Sequence, residues 1–302
     1  MSQWNVIIFV YERDCDHRSI FAMDFANLIK FTKCANISVS IEYHSVKVHG
    51  NHAIYIREGK MTVEALRPIT KGPKIVDAMT QQCRRHYDRA KHNVFIHSGH
   101  CYTKYLYSRG KRILLDSWAD ALERDKIRFD AVCFDCCYTS HADMLMMLCR
   151  IANYYIGTQS AGPDLGFLTS DLPRLICRAD PDRVPDTLLR PWVHSFIRRN
   201  NRPIPGMAHY TSGVAVDLKQ FCALEPDLKR VHFKPGTGEH ARVEPDHEDY
   251  RRLKDLIAML QHVRRADLAD KVRETVLINV HSRLMHKQKF AKHLHGISTG
   301  VA

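Results

Sequence analysis

No stretch of this chain approaches the roughly 20 consecutive apolar residues that a membrane-spanning helix requires. Runs such as Val6-Ile7-Ile8-Phe9-Val10 are soon interrupted by Glu12, Arg13 and Asp14, so no membrane partner is expected. The opening Met1-Ser2-Gln3-Trp4-Asn5 lacks the basic region, long apolar region and small-residue cleavage site of a secretory leader. Cysteine is sparse too: ten in 302 residues are too few for a disulfide scaffold, and Cys133, Cys149 and Cys177 sit inside apolar segments. Reduced thiols and a cytoplasmic location are therefore the expectation. There is no internal repeat and no low-complexity segment. Nor is there an aromatic-rich signature to accompany the net charge of +12, whose basic residues are spread along the chain with a modest concentration after Arg251. Charge of this kind speaks to association and not to fold, and nucleic acid is not an expected partner.

What is present is a chain with 45% hydrophobic residues, enough for one large core or a core with a smaller appendage. Trp4 to Tyr11 is a continuous β-branched and aromatic run that ends in a polar cluster, the pattern of a buried strand and its loop. Phe21, Phe25, Leu28 and Ile29 fall at helical spacing, and Ile37 to Ile41 alternates like a strand. His52 to Arg57 predicts one arm of a hairpin turning at Glu58-Gly59-Lys60, and Ile75, Met79, Cys83 and Tyr87 predict one face of a helix.

Two more strands, Asn93 to Ile96 and Phe129 to Phe134, lead into the polar clusters His97-Ser98-Gly99-His100 and Asp135-Cys136-Cys137. Helices are expected at Leu115–Glu123 and Ala142–Ala152, and a strand at Tyr154–Gly157. Repeated alternation of this kind predicts an α/β layered domain with a mainly parallel sheet, with chemistry at the carboxyl ends of its strands. Beyond Ser170 the prolines multiply. A strand at Gly213–Asp217, a polar linker at Lys234–Glu248, helices near Tyr250–Val263 and Leu268–Leu284, and a frayed last dozen residues complete the expectation.

A thiol is intrinsically very nucleophilic even when only a few per cent ionised, and a nearby imidazole suffices to run acyl transfer. Ends of neighbouring parallel strands lie within about 5 Å of one another, so His100 and Cys137 can meet although they are far apart in sequence. Zinc is the rival use of these residues. His97-x-x-His100-Cys101 and Cys133-x-x-Cys136-Cys137 have ligand-like spacings. Strand alternation opposes that set, because Cys133 and a residue three places on point the same way only if the chain turns sharply. A zinc deaminase is weaker still, since neither histidine is followed by the glutamate of His-x-Glu.

The segment Val132-Cys133-Phe134-Asp135-Cys136-Cys137-Tyr138 resembles the Phe-Asp-Ala-Cys-Leu motif of clostripain-like cysteine peptidases and the Asp-x-Cys motif of metacaspases. Ala90 to His100 is similar to the clostripain-type strand ending in Trp-Asn-His-Gly, and Ser98-Gly99-His100 to the metacaspase Ser-Gly-His. The likeness extends over about residues 4 to 170. It includes Ile151–Thr158 and the loop Gly162-Pro163-Asp164-Leu165-Gly166-Phe167.

This resemblance implies a caspase-like three-layer α/β/α sandwich at residues 1–170, with a mostly helical C-terminal region at 171–302 packed on it. It implies Cys137 as nucleophile, His100 as its catalytic partner, and the backbone amides of Cys101 and Cys137 as oxyanion donors. Asp135, with Asp164, is implied as the substrate-binding carboxylate that selects Arg or Lys; an ordinary turn aspartate is the equal alternative for Asp164. Partners would be proteins or peptides with basic residues, no cofactor is required, no metal ligand is assigned, and calcium use and oligomeric state are not readable.

Two positions depart from the pattern: Cys101 stands where glycine is usual, and Tyr138-Thr139 replaces an aliphatic and methionine pair. The runner-up reading is a catalytically inactive caspase-like or zinc-binding interaction protein. The basic segment Ser108-Arg109-Gly110-Lys111-Arg112 is expected as a loop open to self-cleavage.

Overall fold

Nine strands make one sheet, and the reason is visible in their residue order. In the computed structural model, which describes residues 3–12, 26–34, 36–45, 51–67, 69, 73–108, 111–160, 166–201, 211–233, 253–286 and 294–300, the first strand β1 spans Trp4–Glu12. There Ile7, Phe9 and Tyr11 point into one core, while Trp4, Val6 and Ile8 point into the other. A strand apolar on both faces can sit only at the centre of a covered sheet. The next strands are β2 (Ile37–Ser45), β3 (Asn51–Arg57), β4 (Lys60–Leu66) and β5 (His92–Gly99). Then come β6 (Cys101–Tyr102), β7 (Tyr105–Ser108), β8 (Lys111–Leu114), β9 (Phe129–Asp135) and β10 (Ala152–Gly157). The last four are β11 (Ser212–Asp217), β12 (Leu253–Asp255), β13 (Val276–His281) and β14 (Ser298–Gly300).

The sheet order is β13-β11-β10-β9-β5-β1-β2-β3-β4. The five central strands, β10 to β2, run parallel, and the pairs at both edges are antiparallel. One face is covered by the helices Pro73–His86, Asp116–Arg124 and Ala142–Leu148 together with Leu218–Ala223, Leu256–His262 and Ala266–Thr275. The other face is covered by Leu172–Ile176 and Arg190–Asn200, with Leu28 and Phe31 beside them. The three layers match the expected α/β/α sandwich.

Several details differ from the sequence expectation. The sheet continues past residue 170: the strand expected at Gly213–Asp217 is β11 and joins the main sheet, and β13 extends it from a segment expected as helix. The helix expected to run to Leu284 ends at Thr275, where Val276-Leu277-Ile278-Asn279-Val280 turns to strand and pairs with β11. β-branched residues beside an open sheet edge gain ladder hydrogen bonds that a helix cannot offer there. The last dozen residues are not frayed where described. Ile297 and Ser298 are fully buried, and β14 pairs with β12. The hairpin at Glu58-Gly59 is as expected, joining β3 to β4. Ser108 and Lys111 flank the turn of a second hairpin, β7 with β8, whose residues 109–110 lie outside the described residues. The linker at 234–248, and residues 20–25 of the first expected helix with the polar loop before it, also lie outside them.

Candidate active site

β5 and β9 are parallel neighbours in register from Val94 against Ala131 to Ser98 against Asp135. His100 and Cys137 each follow two residues after that last pair, so adjacent strands about 4.8 Å apart deliver both to the same carboxyl end of the sheet. His100 is exposed, and Cys137 is half-buried beside Tyr102 and Tyr138. Glycine precedes His100 for a steric reason: a Cβ at Gly99 would lie 2.5 Å from the carbonyl oxygen of Tyr11 on β1.

The turn that carries Cys137 is tied down at almost every residue. Tyr138 adopts φ +53°, a left-handed conformation that a bulky residue holds only when its surroundings impose it. Its amide donates to the Ser160 carbonyl at 3.0 Å, and the Ser140 amide donates to the Thr158 carbonyl at 2.8 Å. Thr158 Oγ1 donates to the Cys136 carbonyl at 2.8 Å, while the Tyr155 hydroxyl reaches Thr139 Oγ1 at 2.8 Å.

Behind this turn lies a buttress that sequence reasoning missed. The Ser140 carbonyl accepts from the amide and hydroxyl of Ser298 at 2.8 and 3.1 Å, and the Ser140 hydroxyl donates to the Gly296 carbonyl. Fully buried Asp255 gathers the same segment: it accepts from Gln159 Nε2 (2.7 Å), the Ala258 amide (2.9 Å), the His295 amide (2.6 Å) and His295 Nδ1 (2.9 Å). Gln159 returns a bond by accepting from the Gly296 amide at 3.0 Å. The only local signal was Asp255 as N-cap of the helix Leu256–His262.

Asp135 points to the opposite face of the sheet from Phe134, as alternation requires. Its carboxylate accepts from the Phe167 amide at 2.8 Å, from the Leu168 amide at 3.4 Å and from the Ser98 hydroxyl at 3.4 Å. Burial pushes this carboxyl up to about 6, against the lowering effect of those donors. A Cβ at Gly166 would fall 2.1 Å from Asp135 Oδ2, so the loop passes the carboxylate only as glycine. Asp164 lies outside the described residues.

Cys101 is buried, and its thiol lies in the core with His97 and Cys136. Burial pushes the Cys101 thiol up, but hydrogen bonding with Cys136 and the charge and hydrogen bonding of His97 outweigh it and bring it down to about 6. The ligating atoms of His97, Cys101 and Cys136 all lie within 4.8 Å of one another. Cys133 belongs to the core on the other face of the sheet, so the zinc set that pairs it with Cys136 does not form. Alternation along β9 is the cause.

No family model and no curated protein matches the sequence. Among solved structures the chain is similar to a secreted C11 cysteine protease from Bacteroides thetaiotaomicron, "iotapain", at 11% identity and TM-score 0.73, covering 99% of this chain and 93% of that one. It is also similar to a secreted C11 cysteine protease from Bacteroides thetaiotaomicron in complex with an irreversible peptide inhibitor, at 14% identity and TM-score 0.76 over 100% and 93% of the two chains. An inactive zymogen C11 protease from Parabacteroides distasonis is similar at 12% identity and TM-score 0.72, over 100% and 92%. The chain therefore has the caspase-like fold of the clostripain-like C11 proteases.

The cytoplasmic location expected from the sequence is overturned: two of these matched structures are of proteases described as secreted. The thiols also are not all reduced, since Cys34 and Cys177, 143 residues apart, are joined by a disulfide. Such bonds persist in oxidising surroundings. The apolar neighbours of Cys177 suggest a reduced core residue, because nothing near it in the sequence marks Cys34 as its partner.

Proposed function

We propose that this chain, built on the fold of the C11 proteases, is a cysteine endopeptidase that cuts after Arg or Lys and works outside the reducing cytoplasm. The observation that carries the proposal is the equal offset of His100 and Cys137 from the paired residues Ser98 and Asp135 on neighbouring parallel strands. Support also comes from the many hydrogen bonds that hold the Cys137 turn in a left-handed conformation, since pre-organisation of this kind suits a nucleophile.

In the reaction His100 takes the proton from Cys137 Sγ, and the thiolate attacks the scissile carbonyl carbon. The amides of Cys101 and Cys137 receive the developing oxyanion. The C–N bond breaks as His100 returns the proton to the leaving amine, leaving a thioester. Water, giving a proton to His100, then attacks the thioester, and the carboxylic acid leaves as Cys137 regains its proton. Asp135, with Asp164 as a second carboxylate, binds the cationic side chain before the cut bond. None of these steps calls for a cofactor, and the substrates are proteins or peptides with accessible basic residues.

The test is a thiol-reactive peptide ending in arginine, followed by mapping of the label. The expected result is one label on Cys137, lost in Cys137→Ala, and an arginyl reporter that neither Cys137→Ala nor His100→Ala hydrolyses while both keep the wild-type circular dichroism. A label on Cys136, or full activity in His100→Ala, would overturn the assignment.

A further inference from the structure

We infer that His97, Cys101 and Cys136 form a buried site for a thiophilic metal ion of the zinc type, separate from His100 and Cys137 and independent of the peptidase reading. The three come from different parts of the chain: His97 from within β5, Cys101 from the start of β6, and Cys136 from the turn after β9. Their ligating atoms converge within 4.8 Å of one another. Coordination bonds of about 2.3 Å to sulfur and about 2.0 Å to nitrogen place tetrahedral ligand atoms roughly 3.5 to 4 Å apart, so an ion needs a contraction of at most about 1.3 Å.

A second observation points the same way. His97 is 1% exposed, yet neither of its ring nitrogens has a hydrogen-bond partner of ordinary geometry among the described residues; the Cys101 thiol, itself a candidate ligand, interacts with the ring. Its ring is held between Phe9 and Phe134, at centroid distances of 5.9 and 5.6 Å, which fixes its plane without satisfying its polar atoms. Buried polar groups are almost always partnered, and an orphaned one in a native core calls for an explanation such as an ion. A metal supplies the missing partner. It also balances the charge, since two thiolates and a neutral imidazole around a divalent ion sum to zero, the condition under which charged groups tolerate burial. Two sulfurs and one imidazole form a soft donor set that selects zinc or copper(I) over calcium or magnesium. The three ligands leave one tetrahedral position for a water or small anion. An ion here would join the two loops that carry His100 and Cys137, because Cys101 and Cys136 are their chain neighbours.

The test uses the full chain, reduced and freed of metal, with Co2+ and Zn2+ as probes. One Co2+ per chain should bind with a thiolate-to-cobalt charge-transfer band that Zn2+ abolishes, and Zn2+ should raise the melting temperature. Cys136→Ser and Cys101→Ser should weaken Zn2+ binding at least about 100-fold, in keeping with the loss of one ligand, and His97→Ala should do likewise. Cys137→Ala and His100→Ala should bind as wild type does, whether or not the protein is a peptidase. If a ligand variant fails to fold, alkylation of the wild type takes its place: bound Zn2+ should protect Cys101 and Cys136, and equal labelling with and without Zn2+ would count against the site. The inference is overturned if Cys137→Ala or His100→Ala abolishes binding, if no charge-transfer band forms, or if Cys101 and Cys136 are recovered as a disulfide and take up no metal after reduction.

Discussion

Selectivity for arginine should collapse on acidification, because the carboxyl that selects it is only weakly acidic. Burial holds the Asp135 carboxyl at about 6, well above the ordinary carboxylate range. A group with that pKa is about ten-elevenths ionised at pH 7 and about one-eleventh ionised at pH 5, and the pH dependence of kcat/KM reports the free enzyme's group. Attraction of a guanidinium needs the ionised form, so kcat/KM for an arginyl reporter should fall about tenfold from this cause alone. Other groups titrate in the same range. The quantity to measure is therefore the ratio of kcat/KM for an arginyl reporter to that for the same peptide ending in norleucine, from which effects on Cys137 and His100 divide out.

That ratio should drop about tenfold between pH 7 and 5 with a midpoint near 6. In Asp135→Asn it should be low and flat. Acid unfolding at this carboxyl is not a competing cause. A raised folded-state pKa means the native state binds more protons than the unfolded chain between about pH 4 and 6, so its contribution to stability grows as pH falls through that window. A flat ratio in the wild type, or an unchanged pH profile in Asp135→Asn, would refute the role given to Asp135.

Asp255→Asn should be strongly destabilising although it changes little in size. Four donors converge on the carboxylate, and an amide nitrogen would face two of them; at roughly 1.5–3 kcal/mol for each bond to a charged group, the loss is about 3–6 kcal/mol. Calorimetry should show the melting temperature lowered by roughly 6 °C or more, and a change within one or two degrees (~1–2 °C) would mean the buttress contributes little. Replacing Cys34 and Cys177 together by serine opens a loop of 143 residues. A cost of about 2–4 kcal/mol follows, read as a lower melting temperature, which reduction of the wild type should reproduce. No difference between the double variant and wild type under oxidising conditions would show that the bridge does not form.

The central strands and the two motif positions were legible in the sequence because they depend on local pattern. Continuous apolar runs such as Val132-Cys133-Phe134 mark a strand buried on both faces, and alternation already separated Cys133 from Cys136. Residues two places past such parallel neighbours arrive at the same carboxyl end of the sheet whatever the rest of the chain does. Tertiary structure alone decided the remainder. Val276–Val280 read as the end of a helix, and the open edge beside β11 made it a strand. Cys34 found Cys177, and Asp255 found Gln159 and His295, across separations that no local period records. His97, Cys101 and Cys136 converge because β5 and β9 are neighbours, so that residues at and just past their ends meet. Periodicity fixes which face a side chain takes; only the pairing of distant segments decides what it meets there.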